Sequence, residues 1–166
     1  MGKIYIAFNG PAPTTASQAA VTTGTAIKTL LQVATPATSK IKVVEWGISF
    51  DGTAAATPIT VELLTTGAIN ATVTAHVASG VPPFEDSGAP ASLVTLGTAA
   101  TGYTASAEGT IVATRVLDTQ LVAPTNQYIK QYPLGREPEI PISTFLRIRV
   151  KAGAAVNAIC YIIWEE

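Results

Sequence analysis

The chain reads as an all-β protein: a single β-sandwich or jelly-roll domain carrying a long, low-charge loop excursion. Three observations predict this. Strong helix formers such as Glu, Lys and Gln are sparse, while Thr, Val, Ile and Gly recur throughout. Apolar and polar residues alternate with a period of two through the closing segments. Short apolar runs are bounded by Gly, Pro, Asp and Asn, the punctuation of sandwiches and barrels.

Taken in order, strands are predicted at 3–8, 26–34, 40–50, 58–65, 71–77, 109–117, 119–123, 127–132, 144–151 and 156–166. The last two carry the clearest pattern. "TFLRIRVK" (144–151) sets Leu146, Ile148 and Val150 against Phe145, Arg147, Arg149 and Lys151. "VNAICYIIWEE" (156–166) sets Ala158, Cys160, Ile162 and Trp164 against Ile159, Tyr161 and Ile163. "AGAAVN" between them is a natural hairpin connection. A helix is a candidate over 13–23, "PTTASQAAVTT", and residues 1–39 are a candidate N-terminal arm. The excursion covers residues 65–110 and carries only Glu85, Asp86 and Glu108 as charges. It is too apolar for a disordered linker, and a long connection inside a compact domain usually has a task of its own. All 166 residues fit one domain with a real core.

Composition narrows the function. Hydrophobic residues make up 48% of the chain and charged residues 13%, about half the usual share. Such a surface suits a protein packed against neighbours. The formal net charge of −1, without a Lys/Arg cluster, argues against nucleic-acid binding. "MGKIYIAFNGPAP" lacks a signal peptide's apolar core, and no apolar run approaches the roughly 18 residues of a membrane span. The expectation is synthesis in a cytoplasm and no membrane partner.

The chemical motifs point away from an enzyme. "VVEWGISFDGTAA" (43–55) puts Trp46 between Glu45 and Asp51, which resembles glycosidase hardware. On one strand, however, carboxylates six residues apart lie roughly 20 Å apart, against the 5–10 Å that a glycosidase dyad needs. Asp51-Gly52 reads as a turn. Trp46 reads as core, sharing a face with Val44, Ile48 and Phe50 opposite Val43 and Gly47. A nucleophilic device has only His76 to draw on, and Cys160 sits on an apolar strand face as an inert thiol. "EDSG" (85–88) is at most a faint calcium signal, and "GTAATG" (97–102) lacks the Lys of a phosphate loop. No catalytic residue, cofactor site or metal site is predicted.

Several strings carry a resemblance. "VVEWGISFDGTAAATPITVELL", "HVASGVPPFEDSGAPASLVTLGTAATGYTASAEGT", "QYPLGREPEIP" and "CYIIWEE" resemble small structural proteins of tailed bacteriophages, of the head decoration, cement or minor capsid class. The similarity runs from about residue 40 onward. It implies a compact β-sandwich or jelly roll, a homotrimer on the capsid exterior, and a role in tying capsomers of the major capsid protein together. It supplies no residue-level binding motif. Candidate partner contacts are the aromatics Phe84 and Tyr103 in the excursion, with Tyr128, Tyr132, Arg136 and Glu137 in the proline-rich "YIKQYPLGREPEIP" (128–141). Two other readings stand beside it: a carbohydrate-binding module using Tyr103, Tyr128, Tyr132 and Trp side chains, and a tail- or fibre-associated domain of the same virion.

Overall fold

A computed structural model of the chain describes residues 2–11, 15–53 and 57–166. The described strands are β1 (Ile4–Phe8), β2 (Val21–Thr22), β3 (Lys28–Ala34), β4 (Ile41–Phe50), β5 (Ile59–Thr65) and β6 (Thr72–Ala75). They continue with β7 (Gly102–Ala107), β8 (Arg115–Val122), β9 (Gln127–Gln131), β10 (Glu139–Ile140), β11 (Phe145–Lys151) and β12 (Asn157–Glu165). All pairings between these strands are antiparallel, and they form two sheets. The front sheet runs β1-β12-β4-β10, with β2 also pairing β12 and β9 also pairing β4. The back sheet runs β6-β7-β3-β11-β5-β8. Without the β6–β7 extension, each sheet holds four strand positions, and the chain repeatedly crosses from one sheet to the other. That order is a jelly roll.

The core lies between the sheets. Leu146, Ile148 and Val150 of β11 and Ile59, Val61 and Leu63 of β5 meet the inner face of the front sheet. That face is built from Ala158, Cys160, Ile162 and Trp164 of β12 with Trp46 and Ile48 of β4. Both tryptophans are fully buried. The alternation read in β11 and β12 therefore holds. In β4 it is interrupted: Ile163 pairs Glu45 but Trp164 pairs Val43, which leaves Val44 as an extra residue in a β-bulge. The bulge shifts the phase, so Val43 and Trp46 both face the core and Val44 turns toward the rim. The expected grouping of Val44 with Trp46 is corrected accordingly.

Other expectations change for equally local reasons. The described residues of the segment 1–39 contribute strands to the sandwich itself, since β1 pairs β12 and β3 pairs β11 near the middle of the back sheet. Among residues 15–23 there is no helix, and Val21–Thr22 pair with Ala158 and Asn157; residues 13 and 14 lie outside the described residues. The strands expected at 109–117 and 119–123 are one strand, β8, bulged at Leu117 where Leu63 pairs Asp118 but Leu64 pairs Val116. The excursion is more than a loop: it holds β6, a 3-10 turn at Ala78–Gly80 and β7.

What the excursion covers explains its course. On the outer face of the back sheet, Gln32, Arg147 and Leu64 form one cross-strand row, and Thr29, Arg149 and Glu62 form the next. Gln32, Thr29, Leu64 and Arg147 are buried even so. The two ends of the excursion lie over them. Gln32 Nε2 donates to Ala100 O at 2.6 Å, and its Oε1 accepts from Ala71 N at 2.8 Å. Arg147 donates to Ile69 O and to Glu108 O, and pairs with the Glu108 carboxylate at 3.6 Å. Glu108 also accepts from the backbone N–H and the hydroxyl of Thr29, each at 2.6 Å. Arg149 pairs with Glu62 at 2.9 Å and donates to Val112 O. Farther along, the excursion seals the free edge of β1: Ile6 N donates to Pro82 O at 3.2 Å and Phe84 N to Ile4 O at 2.7 Å.

Removing the Glu108 carboxylate leaves the Arg147 guanidinium buried without its counter-charge, a change that typically costs about 3–5 kcal/mol. Glu108→Gln is expected to lower the unfolding free energy obtained from urea titration by that order. Amide exchange in residues 108–114 should accelerate more than in β11, whose own ladder remains intact.

Candidate functional site

The carboxylates beside Trp46 each bond a residue of β12. Glu45 Oε1 accepts the Tyr161 hydroxyl at 2.5 Å across the outer face of the front sheet. Burial, and then the Glu45 carboxylate, push the Tyr161 pKa up. Asp51 accepts from Asn157 twice, from the backbone N–H at 2.9 Å and from the side-chain amide at 3.0 Å. Those two bonds hold the Asp51 pKa below the usual carboxylate value and pin the turn after β4 to the start of β12. Asp86 accepts from Gly88 N at 2.9 Å and pairs with Lys3 at 3.2 Å, which ties the 85–88 turn to β1. Cys160 is fully buried among apolar side chains, and burial pushes its thiol pKa up. Among the described residues no three His, Cys, Asp or Glu side chains converge in a metal-binding group.

His76 closes β6 against β1. Its Nε2 lies 2.8 Å from Phe8 O, which fixes the proton there when the ring is neutral, and its ring packs 4.8 Å from that of Tyr103. A Cβ built on Gly80 would meet the imidazole Nδ1 at 2.4 Å, so the glycine is required for the 3-10 turn to pass this ring.

The six expected contact residues fall into three places. Tyr103 lies on β7, half-buried between His76 and the core. Phe84 stands 56% exposed at the strip that covers β1. Tyr128 and Tyr132 point inward where the two sheets open between β8 and β9, Tyr128 edge-on to Trp46 at 5.5 Å. The Tyr128 hydroxyl donates to Asp118 at 2.8 Å, a bond that joins the two sheets. Burial first and Asp118 second push its pKa up to about 12. Tyr132 is likewise pushed up to about 12, mainly by burial and then by Asp118, with the nearby Trp46 indole opposing. Lys130 lies 5.8 Å from the Tyr132 ring centre. Arg136 and Glu137 sit on the connection from β9 to β10, with Arg136 exposed and Glu137 half-buried.

Most of the chain's outward-facing apolar groups were not anticipated from sequence. Leu134 is 97% exposed, Leu121 73%, Val77 63% and Leu93 59%. "YPLGRE" did carry a signal for the first of these, since an apolar residue inside a Pro–Gly turn cannot reach its own core. A cavity of about 300 Å³ also opens beside the start of β11, walled largely by alanines. It is assembled from four separate segments, and no single stretch of sequence announces it.

His76 is the chain's one histidine, so its protonation can be read without interference. Burial holds its folded-state pKa below the ordinary 6.5, with the bond to Phe8 O opposing. A depressed pKa means that the unfolded chain takes up a proton more readily. The stability His76 contributes is thus fully present above pH 6.5 and is lost as pH falls from there through its folded-state pKa. Urea midpoints measured across this range should fall toward acid in the native protein, and the slope should flatten in His76→Gln.

No family model, no curated protein and no solved structure matches the chain.

Proposed function

We propose that the chain is a structural protein of a tailed-phage virion, which binds the outside of the capsid as a homotrimer and reinforces contacts between capsomers. The partner is the major capsid protein, and the protein is made in the host cytoplasm before it joins the particle. It carries no catalytic role. The observation that bears most weight is the set of apolar side chains held outward on rigid backbone: Leu134, Leu121, Leu93 and Phe84 are each more than half exposed. Burying one such side chain against a neighbour is worth about 1.5–3 kcal/mol. With 13% charged residues, little on this surface discourages association. The jelly-roll order of the sheets agrees with the fold that the phage resemblance implies.

The carbohydrate reading keeps only half-buried rings, Tyr103, Tyr128 and Tyr132, as its stacking surface. Trp46 and Trp164 are fully buried, and Tyr128 and Tyr132 turn their rings inward. A location on the tail or fibre uses the same surface chemistry, and the experiment separates it. Purified protein is mixed with heads lacking it, and separately with tails, and sedimented. Saturable binding to heads is expected, along with a higher temperature for release of packaged DNA. Binding confined to tails would move the protein to the tail reading, and binding to neither, together with glycan binding on an array, would overturn both virion assignments.

A further inference from the structure

We infer that Asn9–Gly10 is a self-modifying site: the closed sandwich protects the Asn9 amide, and a chain that stays open loses it irreversibly as ammonia. Strand β12 offers one edge to two partners, β1 along residues 161–165 and β2 along residues 157–158. Asn9 spans the interval between them. Its backbone N–H donates to Cys160 O at 3.0 Å, its Nδ2 donates to Ala158 O at 3.0 Å, and its Oδ1 accepts from Cys160 N at 2.9 Å. The side-chain amide thus stands in for a peptide group and carries the ladder across the gap. Both its donor and its acceptor are used, and the residue is fully buried.

Gly10 follows directly and is also buried. A Cβ built on it would overlap Gln18 Nε2, so any larger residue displaces that side chain. Packing therefore sets a glycine behind the buried asparagine. The other three asparagines precede Ala71, Gln127 and Ala158.

An Asn–Gly pair reacts with itself in water. The Gly10 nitrogen gives up its proton to water and attacks Asn9 Cγ. A C–N bond forms, the Cγ–Nδ2 bond breaks, and ammonia leaves with a proton taken from water. A second water then opens the succinimide to aspartate or isoaspartate. Glycine permits this best because it has no Cβ to hinder the approach. In the closed sandwich the step is blocked twice. Turning Cγ onto Gly10 N breaks both side-chain bonds to β12, and the buried pair lacks the water that must carry the protons. The product cannot reseal the seam. A carboxylate can still accept from Cys160 N, but it has no hydrogen for Ala158 O and brings an unpaired charge into a fully buried position. Isoaspartate also lengthens the backbone between β1 and β2. The reaction is a one-way exit for chains that fail to close.

This chemistry is independent of any capsid, and its test uses the full chain alone. The protein is held at physiological pH and temperature, with and without denaturing guanidinium chloride, and its peptides are mapped by mass spectrometry over days. In denaturant, the Asn9 peptide is expected to show amide-to-acid conversion before those of Asn70, Asn126 and Asn157. Without denaturant, Asn9 is expected to react at least about tenfold more slowly, because the seam must first open. Asp51–Gly52 rearranges without a change of mass and does not enter this reading. After the denaturant is removed, the converted chain and Asn9→Asp are each expected to regain less amide-exchange protection over residues 4–8 than unreacted chain. Equal rates at Asn9 in both conditions, another asparagine reacting first in denaturant, or native protection of residues 4–8 after conversion would overturn the proposal.

Discussion

Arg147 places a positive charge on a sheet face that a sandwich ordinarily leaves to water, and then buries it. Its side chain is 2% exposed, and the Glu108 carboxylate that balances it is 14% exposed. A buried guanidinium without a counter-charge and carbonyl acceptors is costly, so the chain must bring both to it. They arrive from the two ends of the excursion, Ile69 O from one and Glu108 from the other. Between those anchors the chain is free to travel. It extends the back sheet through β6 and β7, crosses to the edge of β1 and returns along the C-terminus, where Glu166 accepts from Ser92, from Leu93 N and from the Trp164 indole.

This arrangement makes the two sides of the sandwich unlike. On the β1 side, the free edge of the front sheet is covered by Pro82–Phe84, so its unpaired backbone groups are satisfied within the chain. On the opposite side, β8 and β9 border the opening between the sheets, joined by the Tyr128–Asp118 bond. A bulge at Leu117 breaks the regular edge of β8, one of the devices by which sheets discourage indiscriminate pairing. Ordered association must then use side chains more than strand edges, which suits a surface with few charges and several outward leucines.

The interior and the surface thus follow different rules. Inside, two tryptophans and the aliphatic rows of β5 and β11 give dense packing with few polar demands. Beyond that apolar packing, polar side chains tie segments together: the buried Thr35, Asn9 and Gln32 and the exposed Asp51 all bond backbone groups of distant segments. A rigid loop can present an apolar side chain at little entropic cost on binding. That connects the hydrogen-bonded loops to the assembly role proposed for this protein.

The inner faces of β11 and β12 were legible in sequence because strand geometry alternates side chains with a period of two, and unbroken alternation leaves one choice of buried face. Leu146, Ile148 and Val150 needed no partner to be assigned. Trp46 was also legible as core, but its neighbour Val44 was not, because the bulge exists only in the register of β4 against β12. The two-residue strands β2 and β10 are too short to carry any periodicity, and pairing alone makes them strands. For the candidate surface the division is sharper. An apolar residue in a Pro–Gly turn can be read as exposed from local chemistry, whereas the burial of Arg147 and the cavity beside Phe145 arise from segments dozens of residues apart. Local sequence determines which way a side chain points from its strand, and only the tertiary structure decides what, if anything, lies on top of it.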